Sequence, residues 1–598
     1  MIATNVSRPR NVDVPRAAAI LYGDWGTSKA YVIGLAFAVA GYASFWLIAA
    51  MCVLTALVGC NYIIICRLYP DGGGVYASVR HRSEVISIVG GFLLIADYLV
   101  TAAISALSAF QYLGLPHPEK FAAGAIVAIG LLNLLGPRHT GGLAFLIAIP
   151  TALVVVALGA FCIPHLNAAL QHLQPLHGSM LHNWQAFVGI VLALSGVEAI
   201  ANATGVMRLD PGASEAHPSV RKTSSPAILW VMLEVCLFTA LFGLAAHALG
   251  GLEIANGDVS APGAAGVRDY MLRYMAQVFV GAALGPAIAK IFALLLSIVF
   301  GLLLLSATNT AVVDLIAIQF LMARDRELPS VFQRLNRWGV PAYGMILAAV
   351  IPAVLVVAVK DMAGLADLYA VGVVGAIATN LGATSTDRHL AIKIPERVLM
   401  FGTFLVMAAI ELSLLVDKPN ARYFAVTILA VGLILRGLVQ ERRMKRAGTS
   451  ADSSAAGSLP AARHNGEVIL CAVRGCGRTL DFALREASET GRRLYLLFIR
   501  EQRFLTAEDT SRKWQDDPEA RAIFDNAKAR APERPPLFCY AVSDSASQTI
   551  VDIAATVGAS RLILGAPRRH GMTHLLRGNV VREVSDLLPE EIDLLVYA

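Results

Sequence analysis

Apolar stretches of bilayer-spanning length follow one another along most of the chain, near residues 19–38, 43–67, 84–112, 121–136, 141–163, 187–207, 226–250, 286–318, 341–359, 364–383, 396–416 and 422–439. A helix needs about 20 apolar residues to cross the hydrocarbon core, so this pattern predicts twelve spans. Two of them are interrupted. "YGDWGTS" (22–28) puts an aspartate, two glycines and two hydroxyls into the first, and "LSGVEAIANATG" (194–205) does the same with a glutamate in the sixth. An acidic residue at bilayer depth costs on the order of 3 kcal/mol, so Asp24, Asp97 and Glu198 together cost roughly 9 kcal/mol that lipid contact does not return. Helices of inverted-repeat transporters are broken near the midplane, where free carbonyls and half-helix dipoles meet ions and glycine tolerates the break. The two interruptions lie five spans apart, the spacing that two repeats of five require.

Composition agrees with a membrane protein: 56% of residues are hydrophobic and 15% charged, which excludes a soluble enzyme. Arg8, Arg80, Arg138, Arg221, Arg334 and Arg388 fall in segments on the side of the N-terminal tail, which places that tail in the cytoplasm, and an even number of spans returns the C-terminus to it. The N-terminal residues lack a cleavable signal pattern, so the first span is expected to be retained. The net charge of +6 is accounted for by these loops and calls for no nucleic-acid partner. Cysteines are scattered without metal-ligand spacing, and the histidines of "HLNAALQHLQPLHGSMLHNW" (165–184) are irregularly spaced, as an outer loop would have them.

After residue 440 the composition shifts to a basic edge and a Ser/Ala/Gly-rich tether over 441–464, followed by a domain over 465–598. There "EVILCAV", "RLYLLFI", "LFCYAVS", "SRLILGA" and "IDLLVYA" read as strands alternating with amphipathic helices, hence a parallel sheet covered on both faces.

On span 3, Asp97 and Thr101 are four residues apart, so their oxygens share one helix face, which Ser105 continues. A dehydrated monovalent cation needs several oxygens of moderate field strength, and carboxylate, hydroxyl and phenol supply them. Thr101 and Ser105 can equally bond the carbonyl one turn back.

The motifs "GDWGTSKAY" (23–31), "YPDGGGVY" (69–76), "ADYLVT" (96–101), "SGVEAIAN" (195–202) and "LYAVGV" (368–373) resemble the amino acid-polyamine-organocation superfamily, in particular its KUP potassium-uptake branch and the KimA-type importers. The resemblance implies an α-helical membrane protein of LeuT-like 5+5 inverted repeats plus two further helices over residues 1–440, acting as a K+/H+ symporter and not as an enzyme. It implies potassium ligands at Tyr31, Asp97, Tyr98, Thr101, Ser195 and Tyr369, with Ser195 in place of the family's threonine, and proton coupling at Asp24 and Glu198. It further implies a bacterial inner membrane, a homodimer, no cofactor, and regulation by a nucleotide or cyclic di-AMP. The C-terminal segment resembles a universal stress protein domain, a flavodoxin-like α/β fold. Of that family's phosphate loop, Gly565, Gly571 and Gly578 stand, but Arg568 and Asn579 replace a glycine and a hydroxyl residue, and Arg474 replaces an aspartate. Ordinary ATP binding is therefore not expected, although the loop arginines leave a phosphorylated ligand open.

Two features stay open at this point. Lys29 departs from the KUP pattern and either snorkels or pairs with Asp24, and Glu234 in "WVMLEVCLF" is expected to pair at a helix interface. The rival functions are an amino-acid permease of the same superfamily and a membrane sensor without net transport.

Overall fold

The computed structural model describes residues 10–597 apart from 71, 73, 81–82, 136–139, 195, 215–216, 256, 326, 337, 450–467, 502–513, 533, 544–545, 566–579 and 590–591. The chain divides into two compact units, Met1–Gln440 and Glu441–Ala598.

In the first unit, nine runs among the described residues are long and apolar enough to cross a membrane. The first of these, Val14–Leu68, is two crossings separated at Gly41, whose φ of +54° a side chain would oppose. The 16-residue helix Pro118–Asn133 and a discontinuous sixth segment bring the crossings to twelve. Span 1 consists of half-helix 1a (Val14–Trp25) and half-helix 1b (Ser28–Ala40). Spans 2 to 5 are Ser44–Leu68, Glu84–Leu113, Pro118–Asn133 and Thr140–Cys162. Span 6 begins with Met180–Val188 and, after a break, resumes over Ala199–Ala203. Spans 7 to 12 are Arg221–Ala245, Pro286–Arg324, Ala342–Val359, Met362–Thr386, Ile394–Asp417 and Pro419–Val439, the last being the apolar part of the helix Pro419–Thr449.

Burial sorts these helices. The apolar windows of spans 3 and 10 are 83% and 78% buried, against 28% and 11% for spans 11 and 12, so the former form the centre of the bundle and the latter its rim. Helices apolar on every side are expected where lipid replaces water. The multi-pass helical transporter fold expected from the sequence is thus the fold observed.

Two segments carry structure that the run pattern alone does not give. The histidine-rich stretch is partly helical, with Leu166–His172 and a span 6 that starts at Met180, because Ser179 caps it by accepting from the His182 amide at 3.1 Å. The segment between spans 7 and 8 carries a short hairpin (Glu253–Ala255 with Asp258–Ser260) and a helix, Met271–Leu284, too short and amphipathic to register as a span. Its lead-in packs on half-helix 1b at Gly34, where a Cβ would strike the Arg268 backbone.

The second unit is a five-stranded parallel sheet: β1 (Val468–Ala472), β2 (Arg493–Glu501), β3 (Leu537–Ser543), β4 (Ala559–Gly565) and β5 (Asp593–Tyr597), in the order β3-β2-β1-β4-β5. Side chains alternate between faces. Ile469, Cys471 and Ile563 meet helices α1 (Arg478–Thr490) and α2 (Pro518–Arg530), while Leu470, Leu562 and Leu564 meet α3 (Ala546–Thr556) and α4 (Val580–Leu587). The strand order reverses beside β1 and β4, where doubly wound folds open a crevice at the strands' carboxyl ends. Gly565 ends β4 there, close enough to α1 that a Cβ would lie 2.9 Å from Thr479 Oγ1. Arg568, Gly571 and Gly578 lie outside the described residues.

Candidate functional site

The two interruptions meet. In span 1 the turn at Gly26–Thr27 separates the half-helices, and both the amide and the hydroxyl of Thr27 return to the Asp24 carbonyl, at 3.0 and 2.6 Å. In span 6 the helix gives way through a 3-10 turn, Val191–Leu194, to Gly196 at φ +93°. A Cβ on Gly196 would sit 2.5 Å from the Trp25 amide and 2.9 Å from the Asp24 carbonyl carbon, so glycine is what lets the two breaks abut. Glu198 follows at once and accepts from the Gly196 amide at 3.3 Å. Asp24 and Glu198 are thereby held at one junction, 2% and 3% exposed.

Span 3 supplies the third acid. Asp97 is fully buried, and Gly372 of span 10 packs so tightly on it that a Cβ would lie 2.8 Å from its backbone. Tyr369, one turn earlier on span 10, is likewise buried and faces the same carboxylate. Thr101 donates to the Asp97 carbonyl at 2.8 Å and lies 3.3 Å from Oδ1. That alternative bond uses the hydroxyl proton and leaves the oxygen lone pairs for a cation. Tyr31 reaches the site from half-helix 1b, its hydroxyl 3.3 Å from Thr27 Oγ1.

Asp97 Oδ2, Glu198 Oε2 and the Tyr369 hydroxyl are buried without a hydrogen-bond partner among the described residues. Asp24, Asp97 and Glu198 act on one another electrostatically. Like charges cost far more in this low-dielectric setting than in water, and a cation among them relieves that cost.

The remaining expected residues are placed differently. Tyr98, one position along from Asp97, turns its hydroxyl to Asn202 of span 6 and toward Asp314 of span 8. Ser195 lies outside the described residues. Asp314 itself was not singled out from the sequence, although an acid amid "TAVVDLIAI" carries the same signal as Asp97. Lys29, left open above, pairs with Glu234 of span 7 at 2.8 Å.

The amino acid permease family profile matches residues 13–431, and that of the universal stress protein family matches residues 467–589. The potassium transporter KimA of Bacillus subtilis (strain 168) is 28% identical over 388 residues, which cover 60% of this chain and 58% of that protein. A probable potassium transport system protein, Kup 1, of Bradyrhizobium sp. is 31% identical over 212 residues, 31% of this chain and 35% of that one. The chain therefore spans less than two thirds of the length of these relatives. Among solved structures, a manganese transporter of Eremococcus coleocola overlaps 72% of this chain and 94% of its own with a TM-score of 0.45 and 13% identity.

Proposed function

Since this chain belongs to the amino acid permease family and carries a universal stress protein domain at its C-terminal end, we propose that it is a potassium importer driven by protons and controlled by that domain. The observation that carries the reading is the burial of three carboxylates where broken spans 1 and 6 meet span 3, with Asp97 Oδ2, Glu198 Oε2 and the Tyr369 hydroxyl left without a hydrogen-bond partner among the described residues. Asp97, Thr101, Tyr369 and Tyr31 are the ion's ligands, joined by Ser195 on the family resemblance, whereas Tyr98 serves Asn202 instead; Asp24 and Glu198 take up and release the coupling proton. An inside-negative potential adds roughly 2.3 kcal/mol per charge per 100 mV to inward cation movement. The potassium transporters among the relatives favour this ion. The N- and C-termini lie in the cytoplasm of a bacterial cell, and the protein works as a homodimer.

A substrate amino acid would bring its own carboxylate into a junction already holding three, which disfavours the permease alternative. Proteoliposomes test both. Rubidium or potassium accumulation under an inward proton gradient, weakened in coupling by Glu198→Gln, is the expected result. Concentration of a labelled amino acid without rubidium would establish the permease instead.

A further inference from the structure

Lys29 is a fully buried ammonium in a span whose neighbours in the proposed mechanism are acids, and the reading above gives it no task. Its Nζ lies 2.8 and 3.0 Å from the two carboxylate oxygens of Glu234 and 3.4 Å from the Tyr22 hydroxyl, and it stands 4.8 Å from the centre of the Tyr22 ring. Tyr22 in turn donates to Glu234 at 2.9 Å. Tyr22 belongs to half-helix 1a, Lys29 to half-helix 1b and Glu234 to span 7, so the three groups tie both sides of the break to span 7.

We infer that Glu234 and Tyr22 form a second cage for a monovalent cation, and that Lys29 fills it with a cation carried on the chain. Two carboxylate oxygens, a phenolic oxygen and an aromatic face are the donor set that recognises a compact monovalent cation, whether ammonium, potassium or sodium. The lysine head satisfies that set with its three N–H groups. A brace between helices does not call for this chemistry, because a buried ion pair is no more stabilising than a well-packed apolar pair and each charge at bilayer depth is costly. Shortening Lys29 leaves the cage to a free ion. In the native protein the tethered ammonium makes the cycle independent of a second bound cation.

The test uses the full-length protein purified in detergent. Lys29→Ala and the double variant Lys29→Ala/Glu234→Gln are melted in choline chloride, which is replaced at constant ionic strength by ammonium, potassium or sodium chloride. The expected result is a saturable rise of several degrees for Lys29→Ala with at least one small cation, absent in the double variant; comparing the two removes any contribution of the Asp97 site. An equal response to choline, or the same rise in the double variant, overturns the inference. Should Lys29→Ala not be recovered folded in choline, the yield of monodisperse protein in the same salts becomes the readout, and equal failure in all of them is equally fatal. Only the transport arm rests on the proposed function: in proteoliposomes Lys29→Ala should take up rubidium only when the restoring cation is present, whereas the native protein should not need it. Failure of the native protein to take up rubidium would refute the importer reading and leave the melting result standing.

Discussion

Replacing Gly372 by alanine sets two effects of opposite sign against each other. Gly372 lies within the continuous helix of span 10, so alanine should gain about 1 kcal/mol of helix propensity. Against this, the added methyl would lie 2.8 Å from the Asp97 amide nitrogen and Cα and 3.0 Å from its Cβ. These are mostly backbone atoms, which have no rotamer to escape into, so spans 3 and 10 must part by about 0.5 Å before the contact becomes ordinary. Overpacking of this kind costs about 1–3 kcal/mol, so a net loss of up to about 2 kcal/mol is expected. The functional effect is larger than the stability effect suggests, because the displaced residue is the proposed anionic ligand and Tyr369 stays with span 10. Since misplacement by 1 Å can cost about 100-fold, half of that should slow rubidium uptake by roughly tenfold. Gly402→Ala is the matched control, since Gly402 is also in a helix and nothing lies within 4 Å of its added Cβ. Detergent melting and initial rates of rubidium uptake decide the matter. If Gly372→Ala melts at or above the native temperature with full uptake, the tight apposition of span 10 on Asp97 is refuted.

Asp97→Asn should abolish ion uptake while leaving expression, insertion and melting intact, and normal uptake by a well-expressed variant would contradict its role as ligand. Residues 465–598 should bind ATP far more weakly than a universal stress protein with an intact glycine loop, because the sequence has Arg568 where that family's loop has a glycine; tight, saturable binding by calorimetry would refute this. In the same domain burial pushes the Asp517 carboxyl up, but hydrogen bonds from Arg500, the Ala520 amide and Tyr540 outweigh it and hold it below the usual carboxylate range. A depressed carboxyl contributes stability above its unfolded value of about 3.9 and loses it as pH falls through the folded value. The melting temperature of the domain should therefore drop below about pH 4, and Arg500→Met should flatten that drop when melting is followed against pH.

How much of this was legible along the chain depends on whether the deciding interaction is local. The spans were legible because lipid-facing and core-facing sides are both apolar, so each crossing is a continuous run whatever its neighbours. Asp24, Asp97 and Glu198 stood out because a charge in such a run has a cost that burial alone cannot offset. The strands of the soluble domain read clearly for a similar reason: a parallel sheet buried on both faces produces short unbroken apolar runs such as "RLYLLFI". Their order β3-β2-β1-β4-β5 follows from which strand edges pair, and no single strand encodes that.

What only the tertiary structure decided are the approaches between distant segments. The local sequence of Lys29 allowed snorkelling or a bond to Asp24 five residues away, and the ammonium instead met Glu234, 205 positions along the chain. Gly196 and Gly372 stand in motifs that say nothing of their neighbours in space, yet at each the backbone of a distant span presses where a Cβ would be. Tyr98 was grouped with its neighbour Asp97 by sequence, but a single step along a helix turns a side chain by about 100° and sends its hydroxyl to Asn202. Composition and periodicity thus determined which residues lie in the bilayer and which of them are too polar to face lipid; the crossing of spans 1, 3, 6, 7 and 10 determined their partners, because the energy of a buried charge depends on what lies within a few ångströms of it and not on what lies next to it in the chain.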